Sequence, residues 1–231
     1  LFYRMKYSFT TSEQTQCFLK HLKQELAATL PGVEAHLRLA PEMRIQDLKN
    51  GNIRPDALLS AVLILLYPAD GGLKTVVILR NEYDGMHSGQ ISLPGGKAED
   101  TDVDFEYTAL RETREEIGID TSKIEIIGQL SRFYVRPSNF IVYPYVGFCL
   151  QRPVFSPDPV EVQRIIEIDI FDEISYYKTE IRRLTFKNHA AVMAPGFAVG
   201  GEFMWGATAM MISELIQVLN LAAEKSLNSQ S

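Results

Sequence analysis

The hydrophobic and polar positions of this chain follow two periods, and these periods predict its helices and strands. In residues 12–30 the apolar side chains recur at spacings of one, three and four, which predicts an amphipathic helix that ends at Pro31 and Gly32. Two runs of aliphatic residues follow at 60–68 and 74–80. Because the sequence Ala-Asp-Gly-Gly joins these runs, they predict a β-hairpin.

Downstream of this hairpin, the pattern predicts a mixed sheet with helices around it. The predicted elements are a helix at 104–118, strands at 124–133, 141–150, 165–170 and near 190–194, and a long helix at 206–225. Strands and helices alternate without a regular βαβ rhythm, so we expect an α/β fold with a mixed sheet flanked by helices. Residues 1–55 are expected to form an N-terminal helical extension, and residues 56–231 the main domain.

Composition and charge narrow the class of protein. With 231 residues, 46% of them hydrophobic, and a net charge of −6, the chain is expected to form one globular domain with an extension. The acidic balance provides no broad basic surface, so a nucleic acid is not expected as a partner. The longest apolar run, 57–69, is shorter than the roughly 20 residues of a membrane span, so no membrane partner is expected. Because Cys17 and Cys149 are isolated, we expect reduced thiols and a cytoplasmic protein.

The predicted central helix carries three carboxylates on one arc. Glu112, Glu115 and Glu116 fall within roughly 100° of one another on a regular α-helix. Like charges at these spacings repel, so the arc is either a solvated surface, which is the commoner case, or a metal site. The glycine pair at 95–96 lets the backbone turn sharply and approach a ligand closely. Together these features favour a site for a hard divalent cation such as Mg²⁺, with Arg111 placed to orient Glu115.

The segment from Gly96 to Ile119 resembles the Nudix box, in which a glycine and a glutamate precede the pattern R-E-U-x-E-E-x-G-U, with U an aliphatic residue. The matching residues are Gly96, Arg111, Glu112, Glu115, Glu116, Gly118 and Ile119. Asp102 stands at the position of the first glutamate and is followed by eight residues instead of seven, and Thr113 replaces the first aliphatic residue. The insertion leaves the spacing of the three carboxylates unchanged.

A second resemblance lies ahead of the box. Residues 76–96 resemble the motif of the coenzyme A diphosphatases within the Nudix superfamily. The matching residues are Arg80, Gly89, Pro94, Gly95 and Gly96. Asn81, Gly85 and Leu93 replace a small residue, an arginine and a phenylalanine of that motif. The resemblance implies that Gly85 lacks one cationic contact to coenzyme A.

The Nudix resemblance implies an α/β/α sandwich with a mixed β-sheet and the hydrolysis of a nucleoside diphosphate linked to another moiety. It implies that Glu112, Glu115 and Glu116 hold Mg²⁺ or Mn²⁺ together with the carbonyl of Gly96, and that Glu112 or Glu116 doubles as the general base. In many relatives a loop carboxylate outside the box completes the site, and Glu161 is our first candidate for this role. A glutamate exposed beside a strand is the ordinary alternative for Glu161.

Four basic residues are candidates for binding the substrate. Arg80 ends a predicted strand and Lys97 follows the glycine pair, so both are candidates to contact a phosphate. Arg132 and Arg136 lie with two aromatic residues between predicted strands, where they would frame an adenine. A surface ion pair, core packing or solvent exposure is the competing interpretation for these residues. The nearby His87 is expected to be exposed or hydrogen-bonded rather than a zinc ligand.

These resemblances favour a small-molecule substrate, coenzyme A or an acyl-CoA, cut to 3′,5′-ADP and (acyl-)phosphopantetheine. One alternative is a Nudix pyrophosphatase for ADP-ribose, a dinucleotide or a nucleoside triphosphate. Another is a nucleotide-sensing Nudix module without catalysis, although the presence of all three box carboxylates favours an enzyme. The N-terminal extension would either help to form a homodimer or cover the site.

Overall fold

The structure is a computed structural model, and it describes residues 9–82, 88–174, 178–185 and 191–229. Its helices are α1 (Ser12–Ala27), α2 (Val33–Leu37), α3 (Glu42–Asn50), α4 (Phe105–Ile117), α5 (Ile170–Glu173) and α6 (Gly206–Asn228). Its strands are β1 (Leu58–Ala69), β2 (Gly72–Arg80), β3 (Ile91–Ser92), β4 (Gly95–Lys97), β5 (Glu125–Gln129), β6 (Phe133–Val135), β7 (Phe140–Phe148), β8 (Val162–Asp169), β9 (Thr179–Leu184), β10 (Val192–Val199) and β11 (Glu202–Trp205).

Strands β1 to β8 form the central sheet, and their directions are mixed, as expected. β1 runs parallel to β7, whereas it pairs with β2 and β4 in the antiparallel direction. The β1–β2 turn has positive φ at both Asp70 (53°) and Gly71 (77°), which a tight two-residue hairpin requires, so the predicted hairpin is confirmed. β8 also pairs with β2, and this brings the loop before β8 next to the end of β2.

The central sheet carries a hydrophobic layer on each face, because side chains alternate between faces along a strand. On one face, Ile64 and Leu66 of β1 belong to the cluster that includes the apolar sides of α1 and α6. On the other face, Leu63 and Leu65 pack in a cluster with Ile117 of α4. The protein is therefore an α/β/α sandwich around a mixed sheet.

The N-terminal helices pack on the C-terminal helix and share its core. Phe18 and Leu22 of α1 are fully buried in the same cluster as α6. The buried carboxylate of Glu214 in α6 accepts hydrogen bonds from His36 Nε2 and from the Gly32 N–H, each at 3.0 Å. Because a buried charge is costly unless it is hydrogen-bonded, these contacts tie the segment around α2 to α6. The boundary between an extension and the main domain at residue 55 stays a prediction.

The structure differs from the predicted elements where the sequence signal is short or interrupted. The strand predicted at 124–133 is split into β5 and β6, and the register of β5 against β7 shifts next to Gly128. The pattern does not predict the elements that are too short or too polar to define a period, which are α2, α3, α5, β3, β4, β9 and β11. By length and composition, α6 alone among the described helices could cross a membrane, and 72% of its most apolar window is buried inside the protein.

Candidate active site

Helix α4 presents the three glutamates, and local sequence explains both of its ends. The Asp104 side chain caps the helix by accepting a hydrogen bond from the Tyr107 N–H at 2.7 Å. Gly118 ends the helix in the left-handed region, at φ 66°. Ala109 and Ile117 bury the opposite side of the helix against the sheet. Glu112 and Glu116 consequently lie against β4 and near the loop before β8.

The three carboxylates differ strongly in exposure, which the helical period alone did not predict. The exposed fraction of the side chain is 2% for Glu116, 17% for Glu112 and 52% for Glu115. The acidic arc therefore runs from the core to the solvent. Burial is the main reason that the pKa of Glu116 is raised to about 7, and burial also raises the pKa of Glu112.

The glycine pair of β4 lies directly against these carboxylates. The Gly95 N–H donates a hydrogen bond to Glu116 Oε2 at 2.8 Å. A Cβ atom on Gly95 would lie 2.3 Å from the carbonyl oxygen of Ala61, and one on Gly96 would lie 2.4 Å from the carboxylate carbon of Glu112. A larger residue at position 95 would therefore collide with the backbone of β1, and one at position 96 would displace the Glu112 carboxylate.

Arg80, at the end of β2, joins α4 to a carboxylate from a different part of the chain. Its Nη1 lies 2.8 Å from Glu116 Oε1, and its Nη2 lies 3.6 Å from Glu161 Oε2. Beside the larger effect of burial, Arg80 lowers the pKa of Glu116 and the negative charge of Glu161 raises it. Glu161, predicted as the loop carboxylate, thus lies close enough to act electrostatically on both Glu112 and Glu116.

Arg111 is the centre of a second set of ion pairs. Its Nη1 lies 2.9 Å from Glu112 Oε1 and 3.0 Å from Glu115 Oε2, so the predicted Arg111–Glu115 pair is confirmed. Its Nε and Nη2 donate to the two carboxylate oxygens of Asp102 at 2.8 and 3.0 Å. The hydrogen bonds from Arg111 are the main reason that the pKa of Asp102 lies well below its usual range. Asp102, at the first acidic position of the box, therefore anchors Arg111.

The chemistry of these residues fits a hard divalent cation, although their arrangement is not a closed cage. Mg²⁺ and Mn²⁺ prefer carboxylate and carbonyl oxygens, which Glu112, Glu115, Glu116 and Gly96 provide together. Within the described ranges, no three acidic, histidine or cysteine side chains are close enough to enclose an ion. Each carboxylate is instead held by an arginine or a backbone N–H, and the predicted ligand set stays a prediction.

The other predicted binding cations have different surroundings. The exposed Lys97 ends β4 beside the glycine pair, and its carbonyl accepts a hydrogen bond from Arg111 at 3.2 Å. Arg132 is exposed in the loop between β5 and β6. Arg136 pairs with Asp47 of α3, so its guanidinium is engaged with the N-terminal helices. The roles of these three cations in binding stay predictions.

Further residues near the predicted site also have defined positions. Phe133 is 2% exposed and packs edge-on against His36, with ring centroids 5.0 Å apart, so core packing is the correct interpretation for it. Gly85 and His87 lie outside the described residues. The sequence did not predict the contacts of Asn81 with the loop before β8. The one sequence feature that pointed to Asn81 is that it replaces a small residue of the resembling motif.

A comparison with known families agrees with this geometry. Residues 57–183, more than half of the chain, match the sequence model of the NUDIX domain. The chain belongs to the Nudix hydrolase family. The Uncharacterized Nudix hydrolase NudL of Yersinia enterocolitica is 33% identical over 145 residues, which cover 62% of this chain and 72% of the relative. Nudix hydrolase 22, chloroplastic, of Arabidopsis thaliana is 40% identical over 111 residues, which cover 47% of this chain and 36% of the relative.

This Nudix chain covers little more than a third of two plant relatives, 36% of Nudix hydrolase 22 and 39% of Nudix hydrolase 15, mitochondrial, both of Arabidopsis thaliana. Among solved structures, a MutT/nudix family protein from Enterococcus faecalis aligns with a TM-score of 0.45 at 16% identity, covering 91% of this chain and 73% of that one. The NUDIX domain of Shewanella oneidensis NrtR complexed with ADP ribose aligns with a TM-score of 0.42 at 19% identity, covering 55% and 84%. The family assignment rests on the sequence matches.

Proposed function

We propose that this Nudix protein is a divalent-metal-dependent pyrophosphohydrolase that cleaves a nucleoside diphosphate linked to a second moiety. The observation that carries the proposal is the meeting of carboxylates from two parts of the chain at one arginine. Arg80 Nη1 contacts Glu116 of α4 at 2.8 Å, and its Nη2 lies 3.6 Å from Glu161 of the loop before β8. The relatives named as Nudix hydrolases support the same reaction class.

The roles of the residues follow from their exposure and partners. When bound, Mg²⁺ or Mn²⁺ would neutralise the pyrophosphate and acidify the attacking water. Glu112, Glu115, Glu116 and the Gly96 carbonyl would hold the ion. Both oxygens of Glu116 already accept hydrogen bonds, whereas the Glu161 side chain is 51% exposed. We therefore assign to the Glu161 carboxylate the role of general base, which accepts a proton from the attacking water.

The cations near this site would bind the phosphates of the substrate. Arg80 is held at the edge of the acidic residues, and its planar guanidinium suits two phosphate oxygens at once. Lys97 is exposed beside the glycine pair and offers a second positive charge. Arg132 and Arg136 are the proposed contacts to the adenine of the substrate. Arg136 would have to break its ion pair with Asp47 to make this contact.

Coenzyme A or an acyl-CoA is the proposed substrate, because residues 76–96 resemble the motif of coenzyme A diphosphatases. The products would be 3′,5′-ADP and (acyl-)phosphopantetheine. ADP-ribose or a dinucleotide is the second candidate, since Gly85 replaces an arginine of that motif. A sensing module without catalysis is disfavoured by the presence of Glu112, Glu115 and Glu116.

A hydrolysis panel tests the proposal. The purified protein is incubated with CoA, acetyl-CoA, ADP-ribose, diadenosine tetraphosphate, NADH and dATP, with Mg²⁺, Mn²⁺ or EDTA, and products are identified by mass spectrometry. We expect metal-dependent release of 3′,5′-ADP from CoA. Glu116→Gln should lower turnover by about 100-fold or more, whereas Glu106→Gln, on the exposed first turn of the same helix, should not change it.

Each outcome of this panel has a distinct meaning. Cleavage of ADP-ribose without cleavage of CoA would overturn the substrate and leave the reaction class intact. Turnover that persists in EDTA, or that is equal in wild type and Glu116→Gln, would overturn the proposed metal site. No turnover of any member would overturn the hydrolase proposal in favour of a binding module.

A further inference from the structure

Asn81 follows Arg80 directly and binds three consecutive carbonyl groups of the loop before β8. Its side-chain Nδ2 donates hydrogen bonds to Pro159 O and Val160 O, both at 2.8 Å. Its backbone N–H donates to Glu161 O at 3.0 Å. Asn81, directly after β2, therefore holds the backbone that carries the Glu161 side chain, together with Asp158, which accepts hydrogen bonds from the Val160 and Val162 N–H groups.

Packing contributes little to holding this part of the loop. Val160 is 78% exposed, Pro159 is exposed, and half of the Glu161 side chain is accessible to solvent. A segment with few buried apolar contacts depends on hydrogen bonds for a defined conformation. Removal of the Asn81 side chain would therefore loosen the loop at Pro159 and Val160, while the backbone hydrogen bond to Glu161 O would remain.

Regular strand pairing is also interrupted at this point. The β2–β8 ladder shifts its register between Leu79 and Arg80, where Arg80 pairs with Val162. Such a shift bends the strand and disrupts the ladder locally. The hydrogen bonds of Asn81 continue the connection between β2 and the loop beyond this irregularity.

The other end of the loop is bound to α4. The Ser156 N–H donates to Ile117 O at 2.9 Å, and the Asp158 N–H donates to Glu116 O at 3.0 Å. The loop is thus held between the end of α4 and Asn81. Of these two attachments, Asn81 is the one next to Glu161.

We propose that Asn81 is a positioning residue, which sets the place of the Glu161 carboxylate relative to Glu112 and Glu116. This inference rests on the proposed function, because it gives Glu161 a part in hydrolysis. The resembling motif has a small residue at position 81, which lacks this side-chain amide. Displacement of a reacting group by about 1 Å costs on the order of 100-fold in rate.

Steady-state kinetics of Asn81→Ala test the proposal on the substrate that the wild type cleaves fastest. Because the substrate contacts are kept, kcat should fall by about 100-fold while KM stays within about threefold. Asn81→Ser, which keeps one donor, should have an intermediate kcat and serves if Asn81→Ala fails to fold. Asn50→Ala, at the exposed end of α3, is the control and should match the wild type.

A double-mutant cycle separates positioning from general stabilisation. If Asn81 acts through Glu161, Asn81→Ala should slow the wild type but should not further slow Glu161→Gln. Multiplicative effects, or an unchanged kcat in both Asn81 variants, would overturn the inference and leave the hydrolase proposal standing. Unchanged turnover in Glu161→Gln would likewise overturn the inference and leave the hydrolase proposal standing. A wild type without activity would overturn the proposed function and this inference with it.

Discussion

Two glycines with the same backbone conformation offer a matched test of how the loop before β8 is held. Gly118 ends α4 at φ 66° and ψ 24°, and Gly51 ends α3 at φ 63° and ψ 18°. A Cβ atom on Gly51 would meet nothing within 4 Å, whereas one on Gly118 would lie 2.2 Å from Ser156 O. The pair therefore differs in the neighbouring loop and not in backbone strain.

The expected losses of stability follow from two effects: the strain of an alanine in the left-handed region, which both variants share, and the contact with Ser156, which only Gly118→Ala makes. Gly51→Ala should lower the free energy of unfolding by about 1 kcal/mol, because an alanine is disfavoured in the left-handed region. Gly118→Ala should lower it by about 3 kcal/mol, since the same backbone term is joined by overpacking against Ser156. The loop should move away from α4, and this would weaken the 2.9 Å hydrogen bond between the Ser156 N–H and Ile117 O.

Urea unfolding followed by circular dichroism measures both variants, and turnover is measured in parallel. Because the loop carries Glu161, Gly118→Ala should also lower kcat, by about 10- to 100-fold, while Gly51→Ala should leave it unchanged. Equal losses of stability in the two variants would refute the argument that Ser156 meets Gly118. A large loss of stability with normal kcat would show that the loop can move without displacing Glu161.

Two further predictions concern side chains of α4. The pKa of Glu116 is raised to about 7, mainly by burial, so the folded protein holds a proton that the unfolded chain releases near the ordinary value of 4.5. Stability should therefore fall as pH rises through this window, by roughly 3 kcal/mol between pH 5 and 8 relative to Glu116→Gln; parallel curves from urea unfolding in EDTA would contradict this. Thr113 is fully buried, and its hydroxyl has no hydrogen-bond partner among the described residues. Thr113→Val should raise the free energy of unfolding by about 1 kcal/mol, and a lower urea midpoint would show that the hydroxyl is satisfied.

Local sequence was sufficient to predict helix α4 and the β1–β2 hairpin. The cap at Asp104, the stop at Gly118 and the turn at Asp70 and Gly71 act through the backbone of a few neighbouring residues. Their physical causes are therefore present in a short stretch of sequence. The same holds for the Arg111–Glu115 pair, because residues four apart on a helix are neighbours.

The tertiary structure alone decided how these carboxylates differ and what they meet. The depth of α4 against the sheet buries Glu116 and leaves Glu115 in solvent, although both lie on the same arc. The pairing of β2 with β8 brings Arg80 to Glu161 and Asn81 to the loop. Helical periodicity gives the direction of a side chain but not the depth of its helix, and strand register is set by contacts between segments far apart in the chain.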